Sequence, residues 1–132
     1  LVTRADVVFV DGNGILHPHR AGIAAEIGMR IKIPTIGCAK SLLLGEYTPP
    51  KGTRGSYTYI YYKGELLGAC IRTRQAVKPI YLSIGYNYSL EAAIKLTLAI
   101  SKYRIPEPIR KAHQIANEFR SKIEREETLP KG

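Results

Sequence analysis

DVVFVDGNGILHPHRAGIAAEIGMRIKIPTIGC, residues 6–38, decides the fold. Its first piece, Asp6–Val10, is a β-branched run that closes on Asp11 and a glycine turn, and reads as a buried strand. Residues 20–32 set Ile23, Ile27 and Ile31 at i, i+4 and i+8, one apolar face of a helix. Pro34 stops that helix, and Pro34–Cys38 reads as the next strand. Strand, helix, strand implies a parallel pair joined by a right-handed crossover.

Further along, Gly45–Gly55 is rich in Gly, Pro and Thr and reads as a loop. Tyr57–Tyr62 and Leu66–Thr73 flank Lys63-Gly64-Glu65 as an antiparallel hairpin, and Pro79–Gly85 is another strand. Ser89 is the expected N-cap of a helix reaching Tyr103, with Glu91 placed to favour its dipole. Pro106-Glu107-Pro108 opens a last helix carrying Arg110, His113 and Glu118, followed by a charged tail, residues 122–132. The class is α/β, a mixed sheet flanked by helices, with residues 1–121 in one domain.

Of 132 residues, 45% are hydrophobic, enough for a core and too many for a disordered chain. No apolar run is long enough to span a bilayer, and residues 1–10 lack the features of a signal peptide. A cytoplasmic location is therefore expected. The formal charge of +9 favours a polyanionic partner, nucleic acid ahead of a membrane surface. Cys38 and Cys70 sit in apolar segments with no metal-ligand spacing, and read as small buried residues.

Ligands of α/β sheets gather beyond the carboxyl ends of parallel strands. Asp11 ends one such strand and Lys40 follows the other, so both can face one crevice. A strand-end Asp suits a hard cation such as Mg²⁺; it equally suits an Asp-Gly turn. Gly12 and Gly14 permit close backbone approach by a base or phosphate, or simply make the turn. His17 and His19 flank Pro18 in a loop, and His113 shares a helical face with Arg110. Tyr57, Tyr59 and Tyr61 alternate on one strand face, with Tyr62 opposite; such a face is more often packing than a base-stacking platform.

These residues resemble the endonuclease V family. The resemblance rests on D-G-x-G-x-x-H-P-x-x-x-G-x-A from Asp11, P-T-I-G-x-A-K from Pro34, then RTRQAVKPIYLSIG and RIPEPIRKAH in the same order, over residues 6–117. It implies a ribonuclease-H-like fold and Mg²⁺-dependent hydrolysis of the second phosphodiester bond 3′ to inosine, in DNA or RNA. By the same resemblance Asp11 and His113 are metal-binding and catalytic. Lys40 lies near the scissile phosphate. Gly12, Gly14, His17, Gly22, Ile23, Ala39 and Leu43 form the pocket for the flipped base. Metal-assisted hydrolysis and base flipping both fit those residue types.

Two departures accompany it. Tyr86 stands where the family commonly has His. The family also has a segment ahead of its equivalent of Asp11, with the first strands of the sheet, a second metal-binding Asp and a catalytic Glu. This chain has two aspartates in all, Asp6 and Asp11. The expectations are an endonuclease V lacking that N-terminal part, inactive as this chain alone and self-associating through an exposed first strand. The alternative is a non-catalytic nucleic-acid-binding module that keeps the base pocket.

Overall fold

The computed structural model describes residues 7–101 and 103–106. The element order is β1 (Val8–Asp11), α1 (Ile23–Ile31), β2 (Thr35–Ala39), β3 (Tyr57–Tyr62), β4 (Glu65–Ile71), β5 (Ile80–Tyr86) and α2 (Leu90–Ile100). Five strands form one sheet in the order β1-β2-β5-β4-β3. β1 and β2 pair in parallel, from Val8 opposite Thr35 to Asp11 opposite Cys38. The other pairings are antiparallel. The expected crossover and hairpin are both present, with strand ends displaced by a residue or two.

The hairpin turns on Lys63 and Gly64, both at positive φ, +50° and +79°. That matches the twist of two-residue turns joining antiparallel strands. Ser89 caps α2 as its sequence suggests, accepting from the Ala92 amide at 3.1 Å. The helix ends at Ile100 rather than Tyr103. The proposed last helix, with His113, lies outside the described residues.

The two helices lie on opposite faces of the sheet. Ala93 and Ile94 of α2 share a core with Ile36, Ile71, Ile80 and Leu82. On α1, the Ala24 carbonyl accepts from the Thr35 hydroxyl at 2.6 Å. Thr35 and Ile36 are consecutive strand residues and so face opposite ways.

The face that α1 buries is not its isoleucine stripe. Ala24, Ala25 and Gly28 are buried, whereas Ile23 and Ile31 are 53% and 45% exposed. The reason is the closeness of the contact. A methyl group at Gly28 would lie 2.2 Å from Cβ of Tyr86 and 2.6 Å from the Thr35 hydroxyl. Only the small face of α1 fits that gap, so the branched face turns outward.

A second core gathers Leu16, Ile60, Leu67 and Cys70, with Tyr47, Tyr62 and Tyr81 around it. The hydroxyls of Tyr47 and Tyr81 are 3.1 Å apart, and this bond, with burial, pushes the Tyr81 hydroxyl up to about 12. The tyrosines of β3 divide. Tyr59 and Tyr62 pack against the two cores, while Tyr57 and Tyr61 are each 45% exposed. A register shift between Ile60 and Tyr61 interrupts the simple alternation.

Candidate functional site

Asp11 is the last residue of β1 and is exposed at its carboxyl end. Its register partner, Cys38, is 2% exposed. Burial, helped by the Asp11 carboxylate, pushes the Cys38 thiol up to about 12, while the Arg104 and Lys40 cations pull the other way. Asp11, Lys40 and Arg104 thus surround one buried thiol. Lys40 follows β2 directly and is exposed, so the end of the parallel pair carries an acid and a lysine, as the sequence implies.

A cleft of about 640 Å³ opens beside Asp11, lined by Gly12, Asn13, His17, His19, Ala21, Gly22, Ile23 and Glu26. Four of the seven residues expected in the base pocket line it: Gly12, His17, Gly22 and Ile23. Gly12 sits at φ +152°, a conformation that favours glycine. Gly14 lies beneath the floor; its amide donates to the Ser83 hydroxyl at 2.8 Å, and a methyl there would meet the Ile84 carbonyl oxygen at 2.1 Å. Ala39 is half-buried at the end of β2, and Leu43 is exposed; neither lines this cleft.

The Nδ1 of His17 accepts the His19 amide at 3.1 Å, which favours the neutral tautomer with its proton on Nε2. The loop holding it is braced by Arg20, whose guanidinium donates to the His17 and Pro18 carbonyls and meets Glu65 at 2.9 Å. Arg20 also lies over the Tyr62 ring, 5.2 Å from its centre. Glu65, the first residue of β4 after the hairpin turn, thus braces the loop that carries His17 into the cleft.

Two arginines escaped the sequence reading. Arg104 donates to the carbonyls of Lys40 (2.8 Å), Lys78 (2.9 Å) and Pro79 (3.0 Å). Arg72 donates to those of Pro50 (3.1 Å), Lys51 (3.1 Å) and Val77 (2.8 Å). No local pattern announces such staples, because their partners are backbone atoms up to 64 residues away.

The described residues do not by themselves make a metal site. No group of three or more His, Cys, Asp or Glu side chains among them converges on a common point. Asp11 offers one carboxylate; the Cys38 thiol stays protonated, which is not the ligand form. His113 lies outside the described residues, so its expected place opposite Asp11 does too. No helix among the described residues is long and apolar enough to cross a membrane.

Known proteins share much of this sequence and this fold. A sequence profile for Endonuclease V matches residues 1–114. Endonuclease V of Dictyoglomus turgidum is 49% identical over 114 residues, covering 86% of this chain and 50% of its own length. The crystal structure of the Bacillus subtilis endonuclease V superposes with a TM-score of 0.88 at 34% identity, over 96% of this chain and 55% of that one. The Ciona intestinalis endonuclease V was solved with a 23mer DNA containing an inosine followed by a ribo-adenosine; it superposes with a TM-score of 0.75 at 32% identity, over 89% of this chain and 55% of that one. The chain spans about half the length of the curated relatives it matches. With profile, relatives and α/β fold in agreement, the chain belongs to the endonuclease V family.

Proposed function

We propose that this chain recognises inosine in a nucleic-acid strand, DNA or RNA, and belongs to a nuclease that cuts the second phosphodiester bond on the 3′ side of that base. The observation that carries the reading is the glycine-lined cleft opening beside Asp11 at the carboxyl end of the parallel strands. A flipped purine fits against bare backbone at Gly12 and Gly22, with Ile23 as an apolar wall. Nε2–H of His17 is a donor, and so matches the O6 acceptor of hypoxanthine rather than the N6 amino group of adenine. Gly14 supports the floor, and Ala39 and Leu43 belong to the approach from the β2 side. Lys40 meets the phosphate beside the base.

Asp11 would supply one carboxylate to Mg²⁺, and His113 would be the second protein donor, in a ribonuclease-H-like domain spanning residues 1–121 and followed by a charged tail, residues 122–132. Magnesium, when bound, would polarise the scissile phosphate. This chain's own residues bind and orient the base and its phosphate. The proposed setting is the cytoplasm.

One carboxylate and one imidazole hold Mg²⁺ poorly. The chain alone is therefore proposed to bind without cutting. Among the described residues β1 lies at one end of the sheet order and presents Val8, Phe9 and Val10 with no Lys or Pro among them. Such an edge pairs readily with a second copy.

The test combines a gel and a light-scattering measurement on the 132-residue chain. An inosine-containing strand with Mg²⁺ is expected to stay intact, and the chain to run larger than a monomer. Metal-dependent nicking at the expected bond, abolished by Asp11→Ala, would contradict the inactivity. A monomer at high concentration would contradict the edge pairing.

A further inference from the structure

We propose that Lys40, Lys78 and Lys51 form a rail for the phosphates of a single strand, and that the rail ends on Tyr57, where a base stacks. The proposal rests on the nucleic-acid reading above and extends it to a surface away from the cleft.

The rail is assembled by the two arginine staples. One nitrogen of Arg104, Nη2, donates to both the Lys40 and Pro79 carbonyls, and its Nε donates to that of Lys78. The backbones of Lys40 and Lys78 are therefore held against a single guanidinium. Arg72 repeats the arrangement one step further, joining Val77, the neighbour of Lys78, to Pro50 and Lys51. The order across the end of the sheet is Lys40, Arg104, Lys78, Arg72, Lys51. It starts two residues beyond Cys38, the partner of Asp11.

Charge and exposure suit this run to phosphate. Lys40, Lys51 and Lys78 are exposed, and no ion pair holds them among the described residues. The arginines spend their donors on carbonyls; the lysines keep theirs. The loops also bond to each other: the Gly55 amide donates to the Arg72 carbonyl, the Arg72 amide to the Ser56 carbonyl and the Ala76 amide to the Gly52 carbonyl. Three exposed lysines whose backbones are stapled one after another give this surface a run of positive charge.

The rail ends at a cleft of about 370 Å³ lined by Pro49, Pro50, Lys51, Gly55, Ser56, Tyr57 and Thr58. Tyr57 is 45% exposed, and its ring is propped edge-on by Tyr59, with centres 5.8 Å apart. An aromatic face beside a lysine is what a base and its phosphate require together, and stacking of this kind is indifferent to sequence. The occupant is thus the strand flanking the inosine.

The experiment measures binding of fluorescent single strands, with inosine or adenosine at one position, to the full chain across a range of salt. Lys51→Gln with Lys78→Gln is expected to lower the magnitude of the salt slope by about 1.4, since each phosphate contact on a single strand contributes about 0.7. Both strands should weaken equally, leaving any inosine preference intact. Tyr57→Ala should weaken binding about 10-fold at unchanged slope. Lys95→Gln, on the exposed side of α2, is the control and should change nothing. An unchanged slope in the double variant overturns the rail while leaving inosine recognition standing. Loss of slope in a protein that shows no inosine preference supports the rail and overturns the base reading. No single-strand binding by the unaltered chain overturns both.

Discussion

The two halves of the sheet are held together by different means. Around β1, α1 and β2, backbone lies on backbone: Gly14 against Ile84, Gly22 against Asn13, and Gly37 against Gly12 and Gly14. Around β3, β4 and β5, side chains fill the space, with Ile60, Ile71, Ile80 and Leu82 fully buried, and the loops are tied by arginines. The first half has no room for a methyl group at Gly14, Gly22, Gly28 or Gly37, whereas Gly52, Gly55 and Gly64 in the loops of the second have open space around them. The second half loses stability when its core is emptied. The difference follows function as proposed here: a base cleft needs bare backbone, and a strand path needs fixed cations.

The largest expected effect tests the first half. Gly14→Ala forces a methyl to 2.1 Å from a carbonyl oxygen. It should cost about 4 kcal/mol in urea unfolding, at the upper end for overpacking. Gly52→Ala, with open space around it and ordinary φ, should stay within about 0.5 kcal/mol. Similar midpoints for the two variants would erase the contrast. Next, Leu82→Ala, on β5 at the centre of the sheet, should cost about 3 kcal/mol by opening a cavity between β5 and α2. Arg104→Gln should cost about 2 kcal/mol, because three carbonyls lose a charged donor. Iodoacetamide labelling of Cys38 should rise with it as the Lys40 loop loosens. Ile31→Lys should be the mildest, within about 0.5 kcal/mol, since the side chain is 45% exposed. A larger loss would mean that the isoleucine stripe is covered in solution.

The sequence displays the fold well where the rule is local. The parallel pair, the Lys63-Gly64 hairpin and the Ser89 cap all follow from neighbouring residues. It misleads on α1, because the stripe rule assumes that the apolar face is the packed one. Here the neighbours at Thr35, Gly85 and Tyr86 come too close for isoleucine. At the site, Asp11, Gly12, His17, Gly22, Ile23 and Lys40 are legible as a motif. Arg72, Arg104 and the Arg20–Glu65 brace are not, since their partners are carbonyls or charges distant along the chain. His113 is legible only through the resemblance, and its placement lies outside the described residues.

On the function proposed above, the glycine cleft beside Asp11 selects a keto purine through His17. Anisotropy titration of the unaltered chain and of His17→Ala, with single strands differing only in inosine or adenosine, decides this. The inosine strand is expected to bind more tightly, by about 10-fold for one well-placed donor, and His17→Ala to lose most of that ratio with little change in salt slope. Equal affinity of the unaltered chain for the two strands would contradict it.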